Sequence, residues 1–162
     1  YDIKRFYPEE FRYGKALLDD VNRIYGTKLP EDEAGFAALH IVNAELNDGE
    51  NQTYKITCFM KEILRIVHRF FRIEFDEESP YYYRFTTHLK FFAQRIINKK
   101  MHPENKKEEL FTEIAKMYPN VYLCVSAIVK FVQKEYKEEV GEEEQLYLMI
   151  HISKLLKNTR KS

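Results

Sequence analysis

The sequence lacks tryptophan, has only five glycines and five prolines in 162 residues, and shows no sustained alternation of polar and apolar positions. Each glycine stands alone, which excludes the glycine-rich loop that binds phosphate at a helix N-terminus. Strands would need the missing alternation and the turn residues that separate them. The sequence therefore predicts an all-α protein built as a helical bundle.

An excess of either charge is also missing. The 26 lysines and arginines balance 26 aspartates and glutamates, whereas nucleic-acid-binding modules usually carry a basic excess or a basic face. We therefore expect that this chain does not bind nucleic acid itself.

Long apolar runs are absent too. No run approaches the roughly 18 residues of a membrane span, and no signal peptide is visible. The two cysteines, Cys58 and Cys124, lie far apart in the sequence and fit reduced thiols. We predict a cytoplasmic protein without membrane contact.

Signatures of catalysis are missing as well. The sequence contains no GxSxG or HExxH motif, and no two of its five histidines are three or four residues apart, the spacing that binds a metal ion on one helix. We predict that the chain is not an enzyme and has no catalytic residue, metal site or cofactor.

What the sequence does contain is one stretch in two copies. Residues 30–43 (PEDEAGFAALHIVN) and 141–154 (GEEEQLYLMIHISK) each run from acidic residues through an aromatic residue and an apolar stretch to a His-Ile pair. Placing His40 on His151 sets a fixed offset between the copies.

This offset extends backwards without a gap. It places the dipeptide Tyr7-Pro8 on Tyr118-Pro119. Several matches at one fixed offset indicate a duplicated module.

The first copy is incomplete. Residues 1–48 match only the end of the second copy, and the chain begins at Tyr1, so we expect a piece of a longer protein. The polar residues 47–52 lack helical periodicity and mark the boundary. We predict a truncated first domain in residues 1–48, swapped or packed against another chain, and a complete second domain in residues 49–162.

Apolar residues at steps of three and four predict the helices. The truncated copy is expected to contain two helices, over about residues 9–25 and 30–46. The complete copy is expected to contain five, over about residues 56–70, 85–96, 108–117, 119–133 and 142–156. A polar loop is predicted over residues 98–107.

Two histidines have matching surroundings. His40 and His151 each lie four residues after an aromatic residue and seven after a glutamate, Glu33 and Glu144 respectively. This spacing places carboxylate and imidazole on one face of a helix. The alternative is that both rings are satisfied core histidines, because duplicated packing also repeats.

His88 lies one helical turn from Phe85 and Phe92, with Arg84 and Lys90 close by in sequence. These cations could pair with an anion built on the imidazole, or they could be solvated surface charges. The remaining histidines, His68 and His102, have no counterpart in the other copy, and we assign them no function.

Three segments carry a specific resemblance to a known family: LPEDEAGFAALHIVNAE (29–45), YYRFTTHLKFFAQR (82–95) and LYLMIHI (146–152). They closely resemble the phosphotransferase-system regulation domains (PRDs) of BglG/SacY/LicT-type transcriptional antiterminators, and LicT-like members most of all. The resemblance covers essentially the whole chain. It implies the C-terminal part of a first PRD in residues 1–48 and a complete PRD2 in residues 49–162.

The resemblance also implies a function. Each PRD of the family is a helical bundle that dimerises and carries two histidines phosphorylated by the sugar phosphotransferase system. His40 matches the second such histidine of PRD1, and His88 and His151 match the two of PRD2. The implied phosphoryl donors are HPr and a sugar-specific enzyme II. The messenger RNA antiterminator hairpin would be bound by a separate N-terminal domain.

Three alternatives stay open at this point. PRDs also occur in DNA-binding transcriptional activators, which the upstream sequence would reveal. The chain could instead be a helical dimerisation scaffold with structural histidines. A metal-dependent enzyme is the remaining alternative, and metal analysis tests it.

Overall fold

The computed structural model describes residues 2–45, 50–101 and 109–159. Within these ranges the chain forms eight α-helices and no strand, which confirms the all-α class. The helices are α1 (Asp2–Phe6), α2 (Pro8–Tyr25), α3 (Asp32–Glu45), α4 (Glu50–Phe71), α5 (Pro80–Ile97), α6 (Glu109–Met117), α7 (Pro119–Tyr136) and α8 (Glu142–Thr159).

Seven of these helices correspond to the predicted ones. The additional helix, α1, has five residues and is too short to display a helical period in sequence. Helix α4 begins at Glu50 and so includes polar residues that were assigned to the boundary stretch. The rest of that stretch, and residues 102–107 of the predicted polar loop, lie outside the described residues.

Contacts divide the chain into two compact units, Tyr1–Thr57 and Cys58–Ser162, with the division falling inside α4. None of the helices among the described residues combines the length and hydropathy that a membrane crossing requires.

The first unit is built on a close approach of α2 to α3. A Cβ atom on Gly14 would overlap the carbonyl oxygen of Ala34 and lie 3.0 Å from the amide nitrogen of Ala38. Glycine at this position therefore allows the two backbones to touch. A buried contact of 3.4 Å between the hydroxyls of Tyr7 and Thr57 joins the start of α2 to α4 within the same unit.

Apolar side chains of the first unit also face solvent. The helical spacing of Tyr13, Leu17, Val21 and Ile24 predicted α2. Val21 is half-buried, but Tyr13, Leu17 and Ile24 are 57%, 56% and 64% exposed. The buried positions of α2 are instead Glu10, Gly14 and Leu18. The periodicity located the helix correctly, but the apolar face is not the face that packs within the unit.

The second unit has an aromatic and aliphatic core. Phe59 of α4 packs edge-on against Phe92 of α5, with ring centroids 5.5 Å apart, and against Tyr136 of α7 at 5.2 Å. The row Phe85, Leu89 and Phe92 on α5 is fully buried, as its spacing predicted. Burial of such side chains stabilises the fold by about 1.5–3 kcal/mol each.

The two units repeat one local plan. The offset that superimposes His40 on His151 also places α2 on α7 residue for residue. Tyr7 and Tyr118 precede these helices with nearly the same dihedral angles, φ −131° and ψ 58° against φ −130° and ψ 67°. Both helices end in a left-handed residue, Gly26 (φ 64°) and Lys137 (φ 57°). The duplicated sequence therefore corresponds to a duplicated backbone conformation.

Candidate functional site

Helices α5 and α8 bring two of the predicted histidines together. The rings of His88 and His151 lie with their centroids 5.0 Å apart and their planes inclined by 32°. Tyr147 lies 5.8 Å from the His88 ring, and Phe85 lies 6.4 Å from the His151 ring. Two histidines far apart in sequence thus form one imidazole pair between aromatic side chains.

Local sequence determines where each ring lies. Helix α5 starts at Pro80 after Ser79, whose side-chain oxygen accepts a hydrogen bond of 3.2 Å from the Tyr81 amide, a standard helix cap. On this helix, His88 lies beside the buried residues Phe85, Leu89 and Phe92, at the edge of the core. His151 is half-buried on α8 next to the fully buried Ile152.

Glu144 and Arg95 complete the cluster. The Oε2 atom of Glu144 lies 3.5 Å from Nε2 of His88, and the Oε1 atom forms an ion pair with a terminal nitrogen of Arg95. The side chains of His88 and Glu144 are only 16% and 17% exposed. The result is an Arg95–Glu144–His88 chain of charged and polar groups across α5 and α8.

The cluster contains polar atoms that are buried without a hydrogen bond to any described residue. These atoms are Nε2 of His88, Oε2 of Glu144 and Nε of Arg95. A buried polar group without a hydrogen bond costs about 1–3 kcal/mol, so such groups rarely gather at one place without a functional reason.

Burial and charge set the protonation of this site. Burial is the main cause that lowers the pKa of His151 to about 4, with further contributions from the electrostatic interactions with His88, Lys154 and Arg84. Burial alone would raise the pKa of Glu144, but contact with His88 and the charge of Arg95 outweigh it and lower that pKa. At neutral pH the site therefore holds a neutral His151 imidazole and an ionised Glu144 carboxylate.

The cations predicted near His88 occupy different positions. Arg84 is exposed and acts electrostatically on His151, and Lys90 is half-buried on α5. The cation in the cluster is Arg95, which the sequence did not lead us to predict. The signal was present, because Arg95 follows His88 by the same seven residues that separate Glu144 from His151.

His40 lies in the first unit and has different surroundings. It is exposed on α3, as are Phe36 and Glu33, one and two turns before it. Phe36 borders a cavity of about 400 Å³ that Ile3 and Phe11 also line. His40 and His151 thus share a position in the repeat but not an environment.

His68 has a structural contact. Its Nδ1 atom lies 2.6 Å from the carbonyl oxygen of Ile73, across the turn where Arg72 has a positive φ of 53°. This contact closes the C-terminal end of α4. His102 lies outside the described residues.

Metal ligands are not grouped in the part of the chain that the structure describes. No set of three or more histidine, cysteine, aspartate or glutamate side chains there is arranged to hold a metal ion.

Comparison with known proteins identifies the family of this chain. A family model described as PRD domain matches residues 1–44 and 61–155. The chain is 47% identical over 157 residues to "Transcription antiterminator LicT" of Bacillus subtilis (strain 168), covering 97% of this chain and 56% of the relative. It is 38% identical over 156 residues to "Beta-glucoside operon antiterminator" of Dickeya chrysanthemi, covering 96% and 54%.

A third relative is more distant. The "PtsGHI operon antiterminator" of Bacillus subtilis (strain 168) is 31% identical over 154 residues, covering 95% of this chain and 54% of that protein. The chain spans about half the length of the curated relatives it matches. The family match over both segments shows that the chain belongs to the PRD family, in agreement with its resemblance to BglG/SacY/LicT-type antiterminators.

Proposed function

We propose that the chain is the regulatory region of a transcription antiterminator and that phosphorylation of its histidines controls the activity of that protein. The observation that carries this proposal is the imidazole pair of His88 and His151. The names of the three relatives favour an antiterminator over a DNA-binding activator.

The domain assignment forms part of the proposal. Residues 1–48 are the C-terminal part of PRD1, and residues 49–162 are PRD2. The two matched segments and the constant offset between equivalent helices support this division.

The chemistry of the site suits phosphoryl transfer. A neutral imidazole is a nucleophile that can attack a phosphoryl group held on a histidine or cysteine of another protein. The donor supplies the activated phosphorus, so the acceptor needs neither a metal ion nor a phosphate-binding loop. HPr is the proposed donor for His88 and His151, and a sugar-specific enzyme II is the proposed donor for His40.

The product changes the charge of the α5–α8 contact. A phosphoryl group adds about two negative charges, next to a carboxylate that is already ionised. Packed helices tend to adopt one of a few discrete arrangements. Repulsion between the phosphoryl group and the Glu144 carboxylate would therefore shift the helices, and with them the homodimer, from one arrangement to another. An N-terminal domain that binds the antiterminator hairpin of a messenger RNA would respond to that change.

A labelling experiment tests the donor and the sites. The chain is incubated with phosphoenolpyruvate, enzyme I and HPr, and acid-labile phosphate is located by mass spectrometry. We expect label on the His88/His151 pair and its loss in the double variant His88→Ala/His151→Ala. The matched control His68→Ala should label like the wild type, because His68 contacts the turn after α4 and is not part of the His88/His151 pair. Absence of label under conditions that label a known relative contradicts the proposed donor.

A charge-mimicking variant tests the output. His88→Asp places a second carboxylate beside Glu144, and we expect a change of molar mass in light scattering. The neutral control His88→Gln should keep the mass of the wild type. An unchanged mass for His88→Asp would favour a scaffold with structural histidines.

A further inference from the structure

We propose that Glu144 is a positioning residue that keeps the proton of His88 on Nε2, so that Nδ1 is the atom that accepts the phosphoryl group. This inference rests on the proposed function and adds to it the reacting atom and the residue that selects it.

The Glu144 carboxylate lies close to one nitrogen of His88. Its Oε2 atom is 3.5 Å from Nε2 of His88, and neither atom has a hydrogen bond to any described residue. An ionised carboxylate only accepts hydrogen bonds, so the neutral imidazole is stabilised when Nε2 carries the hydrogen. The lone pair of the ring then lies on Nδ1.

Arg95 supports the Glu144 carboxylate from the side away from His88. Arg95 forms an ion pair with Oε1, the oxygen that does not face His88. A carboxylate held at one oxygen by a guanidinium keeps its second oxygen in a fixed direction. The arrangement resembles the way in which an aspartate orients a catalytic histidine in hydrolases, with the carboxylate fixing the tautomer of the ring.

Access to Nε2 of His88 is restricted. Nε2 of His88 is buried from solvent, although the side chain as a whole is 16% exposed. A phosphoryl donor would reach Nε2 only after the groups that bury it, including Glu144, had moved. Attack from Nδ1 leaves both contacts in place.

The transfer step is balanced without a further reactant. The Nδ1 lone pair of neutral His88 forms a bond to phosphorus, and the N–P bond of a protonated phosphohistidine on the donor breaks. The donor imidazole leaves with the bonding electron pair as a neutral ring. His88 retains its Nε2 hydrogen and becomes a phosphorylated imidazolium, whose positive charge the Glu144 carboxylate stabilises.

The closing experiment has two readouts. Long-range ¹H–¹⁵N NMR of the unphosphorylated chain reports the tautomer of His88 directly. Labelling with phospho-HPr, regenerated by phosphoenolpyruvate and enzyme I, then gives the initial rate at His88, and NMR identifies the phosphorylated nitrogen. The variants are Glu144→Gln and the control Glu143→Gln, which makes the same change at the exposed preceding residue.

We expect an Nε2-protonated ring and an Nδ1 adduct in the wild type and in Glu143→Gln. In Glu144→Gln we expect mixed tautomers, adducts on both nitrogens and labelling about tenfold slower, the effect of roughly one pKa unit of lost interaction. Thermal melts confirm that each variant is folded.

The two levels of the proposal fail in different ways. An Nδ1-protonated His88 in the wild type, or an Nε2 adduct, overturns the role of Glu144 and leaves the proposed function intact. Labelling of Glu144→Gln at the wild-type rate does the same. A wild-type chain that shows the expected tautomer but takes no phosphate at His88 contradicts the proposed function.

Discussion

Arg95 and Glu144 form an ion pair between α5 and α8, the two helices that carry the imidazole pair. Glu144 is largely buried, with 17% of its side chain exposed, and Arg95 is 37% exposed. This ion pair therefore differs from the surface pairs of the same unit, such as Arg65 with Glu62, whose side chains are 49% and 41% exposed.

Removal of the Arg95 cation should destabilise the second unit. Arg95→Met leaves the Glu144 carboxylate without its cation in a site of low exposure, and we expect a loss of about 1–2 kcal/mol in the free energy of unfolding. The control Arg65→Met breaks an exposed ion pair and should cost about 0.5 kcal/mol or less. Urea unfolding followed by circular dichroism measures both values, and equal losses would contradict the distinction between the two pairs.

The stability of the chain should depend on His151 between about pH 6.5 and 4. The pKa of His151 is lowered to about 4 in the folded protein, so as the pH falls the unfolded chain binds this proton first. The contribution of the neutral ring is therefore complete above pH 6.5 and is lost as the pH falls towards 4. Because proton binding and folding are linked, the free energy of unfolding should fall by at most about 3 kcal/mol over this pH range.

The variant His151→Gln isolates this effect, because glutamine does not titrate. The difference in unfolding free energy between wild type and variant should shrink from pH 7.5 to pH 5. Measurements above pH 5 keep the titration of Glu144 out of the comparison, because the pKa of that carboxyl group is lowered. A difference that stays constant over this range would show that His151 titrates normally.

Two glycines of the first unit should respond in opposite directions to the same substitution. Gly14→Ala introduces a methyl group that overlaps the backbone of α3, and we expect a loss of about 1–3 kcal/mol. Gly35 has no atom within 4 Å of a Cβ position, and Gly35→Ala should stabilise its helix by up to about 1 kcal/mol. Thermal unfolding of the two variants checks the sign of each change.

How well each feature of this fold can be predicted depends on whether it is determined by residues that are near or far in the sequence. Periodicity, prolines and caps are local signals, so seven of the helices were predicted, although α4 and α5 begin six and five residues before their predicted starts, whereas the five-residue α1 carries no such signal. Which face of a helix is buried is not a local property. The apolar stripe of Tyr13, Leu17 and Ile24 on α2 is exposed because Gly14 allows the adjacent face, which also carries Glu10 and Leu18, to approach α3.

The candidate site likewise combines relationships within one helix, which the sequence predicts, with contacts between helices, which it does not. Glu144 and His151 share one helix, so their spacing placed them on one face before any tertiary contact was known. The contact between His88 and His151 joins two helices, and no spacing within one helix predicts it. Arg95 was missed because Arg84 and Lys90 lie nearer to His88 in sequence, although the partner of Arg95 is on α8.

The ends of α2 and α7 offer an internal comparison of two residues in one backbone conformation. Gly26 and Lys137 adopt nearly the same left-handed geometry, although lysine enters this region less readily than glycine does. The direction in which the chain leaves each helix is therefore imposed by the repeated architecture and not by the residue at the turn. The two copies can diverge at such turns while the helices that carry His40 and His151 still begin within about one residue of equivalent positions.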